Sequence, residues 1–285
     1  MLKITDYSYK HLHSPTYALK NINLEIKAGE ALLLTGQSGS GKSTLLSSIS
    51  GLIPHYYKGC AQGTIMVDDF EPKDVPLNKI GERIGLMLQN AEVQFLAPTV
   101  EEEIFLSLKC RNLDLNYCKE LTQKQLAKFR LEHIRNASVF DLSEGQKQKV
   151  VLAALTALKP KVILLDEPTA NLDPYSIAEL KAILRDLKND GVALLIADHR
   201  LSWLNDLCES IVVLGHGEIC WQCDFEELMK NEHYASLGLR NPRPKQECEI
   251  PVLSCDECRM GLKATNLCFG YCPDKPVFQD FSCAI

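Results

Sequence analysis

The chain has 285 residues, enough for one large domain or two modest ones. Its 46% hydrophobic and 24% charged residues are those of an ordinary water-soluble globular protein, and a net charge of -6 argues against a groove that neutralises nucleic-acid phosphates. No apolar run reaches the roughly 18 residues needed to span a bilayer. The segment Met1 to Asp6 also lacks the apolar core of a signal peptide, so the expected place is the cytoplasm, free or bound to a membrane partner.

Taken in order, residues 2 to 9 read as a strand. Asn21 to Ile26 alternates Ile22, Leu24 and Ile26 with polar residues, a second strand. The turn-rich stretch Lys10 to Thr16 joins the two as a hairpin. A short apolar run, Ala31 to Leu34, then leads into Gly36-Gln37-Ser38-Gly39-Ser40-Gly41-Lys42-Ser43-Thr44, and a helix is expected over Ser43 to Ile49. Strand, glycine-rich loop and helix in that order make a phosphate-binding loop. The glycines let the backbone turn its N–H groups inward. Lys42 reaches the β- and γ-phosphates, Ser43 can ligate Mg²⁺, and the helix N-terminus adds partial positive charge. A nucleoside triphosphate is the ligand this predicts.

Gly51 and Pro54 stop that helix, and Gly63 to Asp68 forms another β segment. Ile84 to Gln89 reads as a strand ending on glutamine. Residues 99 to 141 read as helical, with Thr99 as cap and Glu101, Glu102 and Glu103 favourably placed in the first turn. Leu142-Ser143-Glu144-Gly145-Gln146 opens a helix to about Leu158, which Lys159-Pro160 breaks. The strand Val162 to Leu165 ends on Asp166-Glu167-Pro168. Asp173 and Pro174 start the next helix. Val192 to Ala197 is a continuous apolar strand followed by Asp198-His199, and Ile211 to Leu214 and Glu218 to Cys220 close the series. Alternating apolar strands and helices predict an α/β fold with a parallel sheet and its site at the strand C-terminal ends.

At that site Asp166 is placed to hold Mg²⁺ through water. Glu167 can polarise a water for attack on the γ-phosphate. Gln89 and His199 each follow an apolar strand and can aim at the same phosphate. The competing reading makes Asp166 and Glu167 caps of the next helix, and Gln89 and His199 ordinary loop residues. Their order along the chain favours the catalytic one.

Residues 233 to 259 carry polar, Pro and Cys residues without a period and read as a linker. Then the beginning of the chain reappears. Leu262 to Phe269 lies over Leu2 to Tyr9, and Val277 to Ile285 lies over Ala18 to Ile26, an internal repeat. The chain has twelve cysteines. A zinc site from Cys255, Cys258, Cys268 and Cys272 is conceivable, but without a compact finger pattern buried or idle thiols are favoured.

The order of phosphate loop, glutamine loop, Leu-Ser-Glu-Gly-Gln, Leu-Leu-Asp-Glu-Pro, Asn-Leu-Asp and strand-end histidine resembles the ATP-binding cassette family over about residues 1 to 230. The resemblance implies an α/β phosphate-loop NTPase cassette. It would have a mainly parallel core sheet, an N-terminal antiparallel β subdomain and a helical subdomain. By that resemblance Ser143, Gly145 and Gln146 serve the ATP of a facing cassette, and Asp173 communicates across the interface. Gln89 joins Ser43 and Asp166 around Mg²⁺. Glu144 stands where glycine is commoner, an anion beside a triphosphate. The repeat aligns Tyr271 with His11 and Phe269 with Tyr9, so His11 or Tyr9 would stack on adenine, His11 fitting the register better.

A closer resemblance is to the ATPase subunits of energy-coupling factor transporters, carried by Gln89 to Phe95, Thr99 to Glu103, Gly51 to His55 and Ala197 to Leu201. It implies a cassette at 1–232, a linker at 233–259 and the truncated start of a second cassette at 260–285. The implied partners are a second cassette and a transmembrane scaffold at the cytoplasmic face of the cell membrane, without nucleic acid. Two other classes compete. A soluble cassette acting on ribosomes or DNA would bring a coiled-coil or basic insertion, which is absent here. A cassette that binds ATP without turnover sits poorly with intact Lys42, Asp166, Glu167 and His199.

Overall fold

The computed structural model describes residues 1–111, 113–230, 263–272 and 275–284. The proposed linker at 233–259 lies outside them, with Cys255 and Cys258. The chain forms two compact units, Met1–Pro244 and Lys245–Ile285.

The first unit opens with β1 (Leu2–His11), β2 (Leu19–Ile26) and β3 (Ala31–Thr35). Next come α1 (Lys42–Ile49), the short α2 (Leu52–His55), β4 (Gly59–Val67), α3 (Leu77–Ile80) and β5 (Ile84–Met87). The helical region is α4 (Val100–Lys109) and α5 (Leu115–Lys128), followed by α6 (Glu144–Thr156). The chain continues through β6 (Val162–Asp166), α7 (Pro174–Asn189), β7 (Ala193–Ala197), β8 (Ser210–Gly215), β9 (Glu218–Cys223) and α8 (Phe225–Lys230).

Two sheets result. β2, β1 and β4 form an antiparallel sheet in that order. The core sheet runs β5-β6-β7-β3-β8-β9, parallel except for the β8–β9 pair. β3, β6 and β7 sit inside it and are almost wholly apolar, because both faces are covered. On one face Leu33, Ile163, Leu165, Leu194 and Ile196 pack with α6 and α7. On the other, Leu32, Leu34, Leu164 and Leu195 pack with α1 and the antiparallel sheet. Each strand therefore alternates its side chains between two cores. The mixed α/β cassette architecture expected from the sequence is the one observed.

The helical stretch expected over 99–141 is divided into two helices and short turns. Thr99 does cap α4, its side chain accepting from the Glu102 N–H. Asp114 then caps a separate helix, α5, accepting from the N–H groups of Asn116 and Tyr117 at 2.9 and 3.0 Å. Arg130, at φ 56°, ends that helix, and only short 3₁₀ turns follow before α6. The Glu101–Glu103 run is also more specific than a helix-dipole effect. Glu103 is buried and accepts from the Leu96 and Ala97 N–H groups at 2.7 and 2.8 Å, while Glu101 pairs with Arg135.

In the second unit β10 (Lys263–Cys272) and β11 (Lys275–Ala284) pair antiparallel. Lys263↔Ala284, Ala264↔Cys283, Leu267↔Phe281 and Phe269↔Phe278 reproduce Lys3↔Glu25, Ile4↔Leu24, Tyr7↔Ile22 and Tyr9↔Leu19. The bulges coincide as well. Asp6 and Asn21 have φ of 47°, and their counterparts Asn266 and Asp280 have φ of 49° and 51°. Cys268, of the conceivable zinc set, is exposed and shares hydrogen bonds with Asp280.

Candidate functional site

The phosphate loop lies between β3 and α1, where the core sheet delivers it at the C-terminal strand ends. Two glycines there are required by their surroundings. A Cβ on Gly36 (φ 144°) would come within 2.1 Å of the Leu214 carbonyl, and one on Gly41 (φ 109°) within 2.8 Å of the Ala18 carbonyl. The loop is thus wedged between β8 and the start of β2. Lys42 is 7% exposed, and its ammonium donates to the carbonyls of Gly36 and Gln37 at 2.8 and 3.0 Å. Burial pulls its pKa down, while Glu167, Asp166 and Asp198 pull it up.

The loop floors a cleft of about 840 Å³ lined by Ser38, Gly39, Gly41, Lys42, Ser43, Thr44, Gln89, Glu167 and His11. Glu167 is the meeting point. Its Oε2 accepts from the Gln89 amide at 3.2 Å and lies 3.6 Å from His199 Nδ1. Asp166 ends β6 beside Ser43. Burial raises its carboxyl pKa above the usual range, opposed by the Ser43 hydroxyl hydrogen bond. A hydroxyl and a carboxylate side by side, with the Gln89 amide on the same cleft, are the hard oxygen donors that suit Mg²⁺. Ser43, Asp166 and Gln89 are the residues that would hold it, and the ion would supply positive charge to a triphosphate.

The glutamine loop is fixed by its own side chains. Gln94 bridges the Leu88 N–H and the Leu86 carbonyl, each at 2.8 Å, and Asn90 accepts from the Glu92 N–H at 2.9 Å. Behind His199, Asp198 is 1% exposed and accepts from Thr169 Oγ1 at 2.8 Å and Trp203 Nε1 at 3.2 Å. Asp198 was not singled out from the sequence, where the acid beside a histidine carries no burial signal.

Ser143, Gly145, Gln146 and Asp173 do not line this cleft. Ser143 and Gln146 form a reciprocal capping box at the start of α6. Asp173 caps α7 and accepts from Ser176 Oγ at 2.6 Å, and that hydrogen bond holds its pKa low. A Cβ on Gly145 would meet the same Ser176 Oγ at 2.6 Å, so the two helix starts abut. Glu144 is not a loose anion: Lys147, 7% exposed, pairs with it at 2.9 Å and also with Glu92 of the glutamine loop.

Gly36, Gln37 and Ser40 shape the loop from behind; Gln37 and Ser40 face a smaller cavity against β8. Of the two aromatic candidates, Tyr9 does not line the cleft. It is fully buried, its hydroxyl donating to the Lys58 carbonyl at 3.1 Å and its ring edge-on to His11 at 4.9 Å. His11 lines the cleft. The sequence did not single out Tyr17, Lys20 or His216, which also line it. Gly217, beside His216, connects to the site through backbone bonds from Lys20 N–H and to the Ser40 carbonyl at 2.7 and 3.1 Å. No local pattern announces such a distant turn.

Residues 19–170 match the ABC transporter family. A Bacillus cereus protein described as an ABC transporter ATP-binding protein is 34% identical over 239 residues, covering 83% of this chain and 42% of its own length. The chain thus spans less than half of that relative. A Pyrococcus abyssi protein of the same description is 32% identical over 244 residues, 85% of this chain and 87% of its own. Among solved structures, CbiO1 of Clostridium perfringens, part of the ABC transporter complex CbiONQ, superposes with TM-score 0.72 at 29% identity, covering 85% of this chain and 96% of CbiO1. An ATP-binding cassette dimer in a post-hydrolysis state with ADP and Pi gives TM-score 0.67 at 28% identity, covering 79% and 98%. The cleft, its acid pair and these likenesses agree: the chain belongs to the ABC transporter family of ATP-binding cassettes, which bind ATP with Mg²⁺ and hydrolyse it.

Proposed function

We propose that the chain is the ATP-hydrolysing subunit of a membrane importer of the energy-coupling factor type, taking up vitamins or transition-metal ions. The observation that carries the hydrolytic part is the convergence of Gln89 and His199 on Glu167, beside Lys42 and Ser43. Glu167 would take the proton of the attacking water. His199 and Gln89 would orient that water and the γ-phosphate. Lys42 would hold the β- and γ-phosphates once its ammonium leaves the loop carbonyls. His11 would stack on the adenine.

Ser143, Gly145 and Gln146 would close on the ATP of a second cassette, with Asp173 at the same interface. Their place at two abutting helix starts, away from their own cleft, supports this reading. So does the match in pairing between the two hairpins, which favours 260–285 as the start of a second cassette after a linker at 233–259. The likeness to a subunit of the CbiONQ transporter complex favours a transport partner. No helix among the described residues is long and apolar enough to cross a membrane. A separate transmembrane scaffold, reached from the cytoplasmic face, fits that role.

The test is affinity purification of the chain from detergent-solubilised membranes of its native cells, with phosphate release measured alongside. Recovery of a polytopic scaffold and a small solute-binding membrane protein is expected. Lys42→Ala and Glu167→Gln should abolish steady-state hydrolysis. Recovery with ribosomes or DNA enzymes alone would overturn the transport reading. Unchanged hydrolysis in Glu167→Gln would overturn the mechanism.

A further inference from the structure

The core sheet has a second end. β5 and β6 finish near Gln89 and Asp166, and they begin just after Arg83 and Lys161. Around those starting ends lies another cleft, of about 720 Å³. Among the described residues its cations are Lys79, Arg83, Arg111, Lys159 and Lys161, and its only carboxylate is Glu82. In a chain with 37 acidic and 31 basic residues, that is a marked local reversal of sign.

The cations divide by partner. Lys79 is neutralised by Glu82 at 2.9 Å. Arg83 pairs with Asp69 and lies 5.3 Å from the Phe70 ring centre. Arg111, Lys159 and Lys161 have no ion pair among the described residues. Arg111 is the exceptional one. Its Nη1 is fully buried without a hydrogen-bond partner, and burial pulls its pKa down against the weaker pull of Glu82. The rest of the half-buried guanidinium lines the cleft, where an anion would offset the cost of its partial desolvation. Lys161 is fixed in place, its backbone N–H bonded to the Arg83 carbonyl at 2.8 Å.

We propose that this cleft is a second anion site, taking a phosphate monoester between Arg111, Lys159 and Lys161. The guanidinium fork matches a phosphate, and two further unpaired ammonium groups favour a dianion over a single carboxylate. Leu113, Leu158 and the half-exposed Tyr117 form an apolar wall that suits the organic part of an ester. The source of the phosphate is either a soluble ester or the headgroup of an acidic phospholipid.

The experiment is calorimetric titration of the full chain with phenyl phosphate and with inorganic phosphate. Saturating Mg²⁺ and a non-hydrolysable ATP analogue keep the phosphate loop filled. Flotation with phosphatidylcholine vesicles, with and without phosphatidic acid, runs in parallel. Saturable binding of phenyl phosphate, tighter than inorganic phosphate, supports a soluble ester. Binding only to phosphatidic acid vesicles supports the lipid. In both cases Arg111→Gln should weaken binding about tenfold or more, the loss of a charged hydrogen bond. Because a buried substitution can unfold a protein, the exposed pair Lys159→Ala and Lys161→Ala is the second variant. It should weaken the same binding and leave ATP-analogue affinity unchanged. Absence of binding to every probe, or binding that survives both variants, overturns the proposal.

Discussion

The two hairpins share a fold and differ in what covers them. In the first, Tyr7, Leu19 and Ile22 are at most 5% exposed, packed against α1 and the sheet core. Their counterparts Leu267, Phe278 and Phe281 are 42–44% exposed. Yet over the four matched pairs the strand register, the left-handed bulge positions and the cross-strand bonds correspond. Asp6 N–H donates to Asn23 at 2.9 Å, as Asn266 N–H donates to Ser282 at 2.9 Å. Asn21 N–H donates to Ser8 at 2.9 Å, as Asp280 N–H donates to Cys268 at 3.3 Å. Register and bulge therefore follow from local residue choice, whereas burial comes from the rest of a cassette.

The contrast is broken most directly in the apolar face. Ile22→Ala or Leu19→Ala should cost about 2–5 kcal/mol. Phe281→Ala and Phe278→Ala should stay within about 0.5 kcal/mol, the range of exposed changes. Urea-dependent amide exchange in β1 and β2, and in β10 and β11, reads this hairpin by hairpin, since the two pairs lie in different units. Equal losses would erase the difference between the hairpins.

A smaller effect tests what they share. Valine at Asp6 or Asn21 would force a β-branched residue into the left-handed region, costing about 1–2 kcal/mol, while glycine should be nearly neutral. The same changes at Asn266 and Asp280 should speed amide exchange in β10 and β11 by comparable factors. A tolerant second hairpin would mean its bulges are not set locally. Smaller again, Ser8→Ala should lose about 1 kcal/mol of a part-buried hydrogen bond. Ser8→Cys should keep most of it, because Cys268 fills that place in the repeat.

The first unit also carries buried charge. Asp166, with its carboxyl pKa raised by burial, is less readily ionised in the folded chain than in the unfolded one. Its contribution is therefore most favourable below the unfolded pKa and declines as pH rises through the folded value. Asp166→Asn should raise the Tm of the nucleotide-free chain at neutral pH and flatten that dependence. A lowered Tm would count against burial as the dominant cause.

Much of the site was legible because its signals are local. The phosphate loop sits between its strand and helix, Leu142-Ser143-Glu144-Gly145-Gln146 opens α6, and Asp173-Pro174 starts α7. The helical character of 99–141 was legible in the same way, but its division into two helices was not. Asp114 could be read as a cap, but Arg130 gives no sign of its left-handed turn. Glu103 resembles any first-turn acid until the chain folds back and offers it the Leu96 and Ala97 N–H groups.

Sequence by itself determined the strand order of motifs, the nucleotide chemistry and the repeated hairpin, because glycine φ freedom, cap hydrogen bonds and side-chain periodicity act within a few residues. Tertiary structure decided which aromatic faces the cleft, since Tyr9 and His11 differ only in what packs on them. It also placed His216 beside the phosphate loop, tied Glu144 through Lys147 to Glu92, and drew Arg111, Lys159 and Lys161 to one end of the sheet. Such meetings depend on the register of six strands and the burial of two cores, neither of which any short stretch contains.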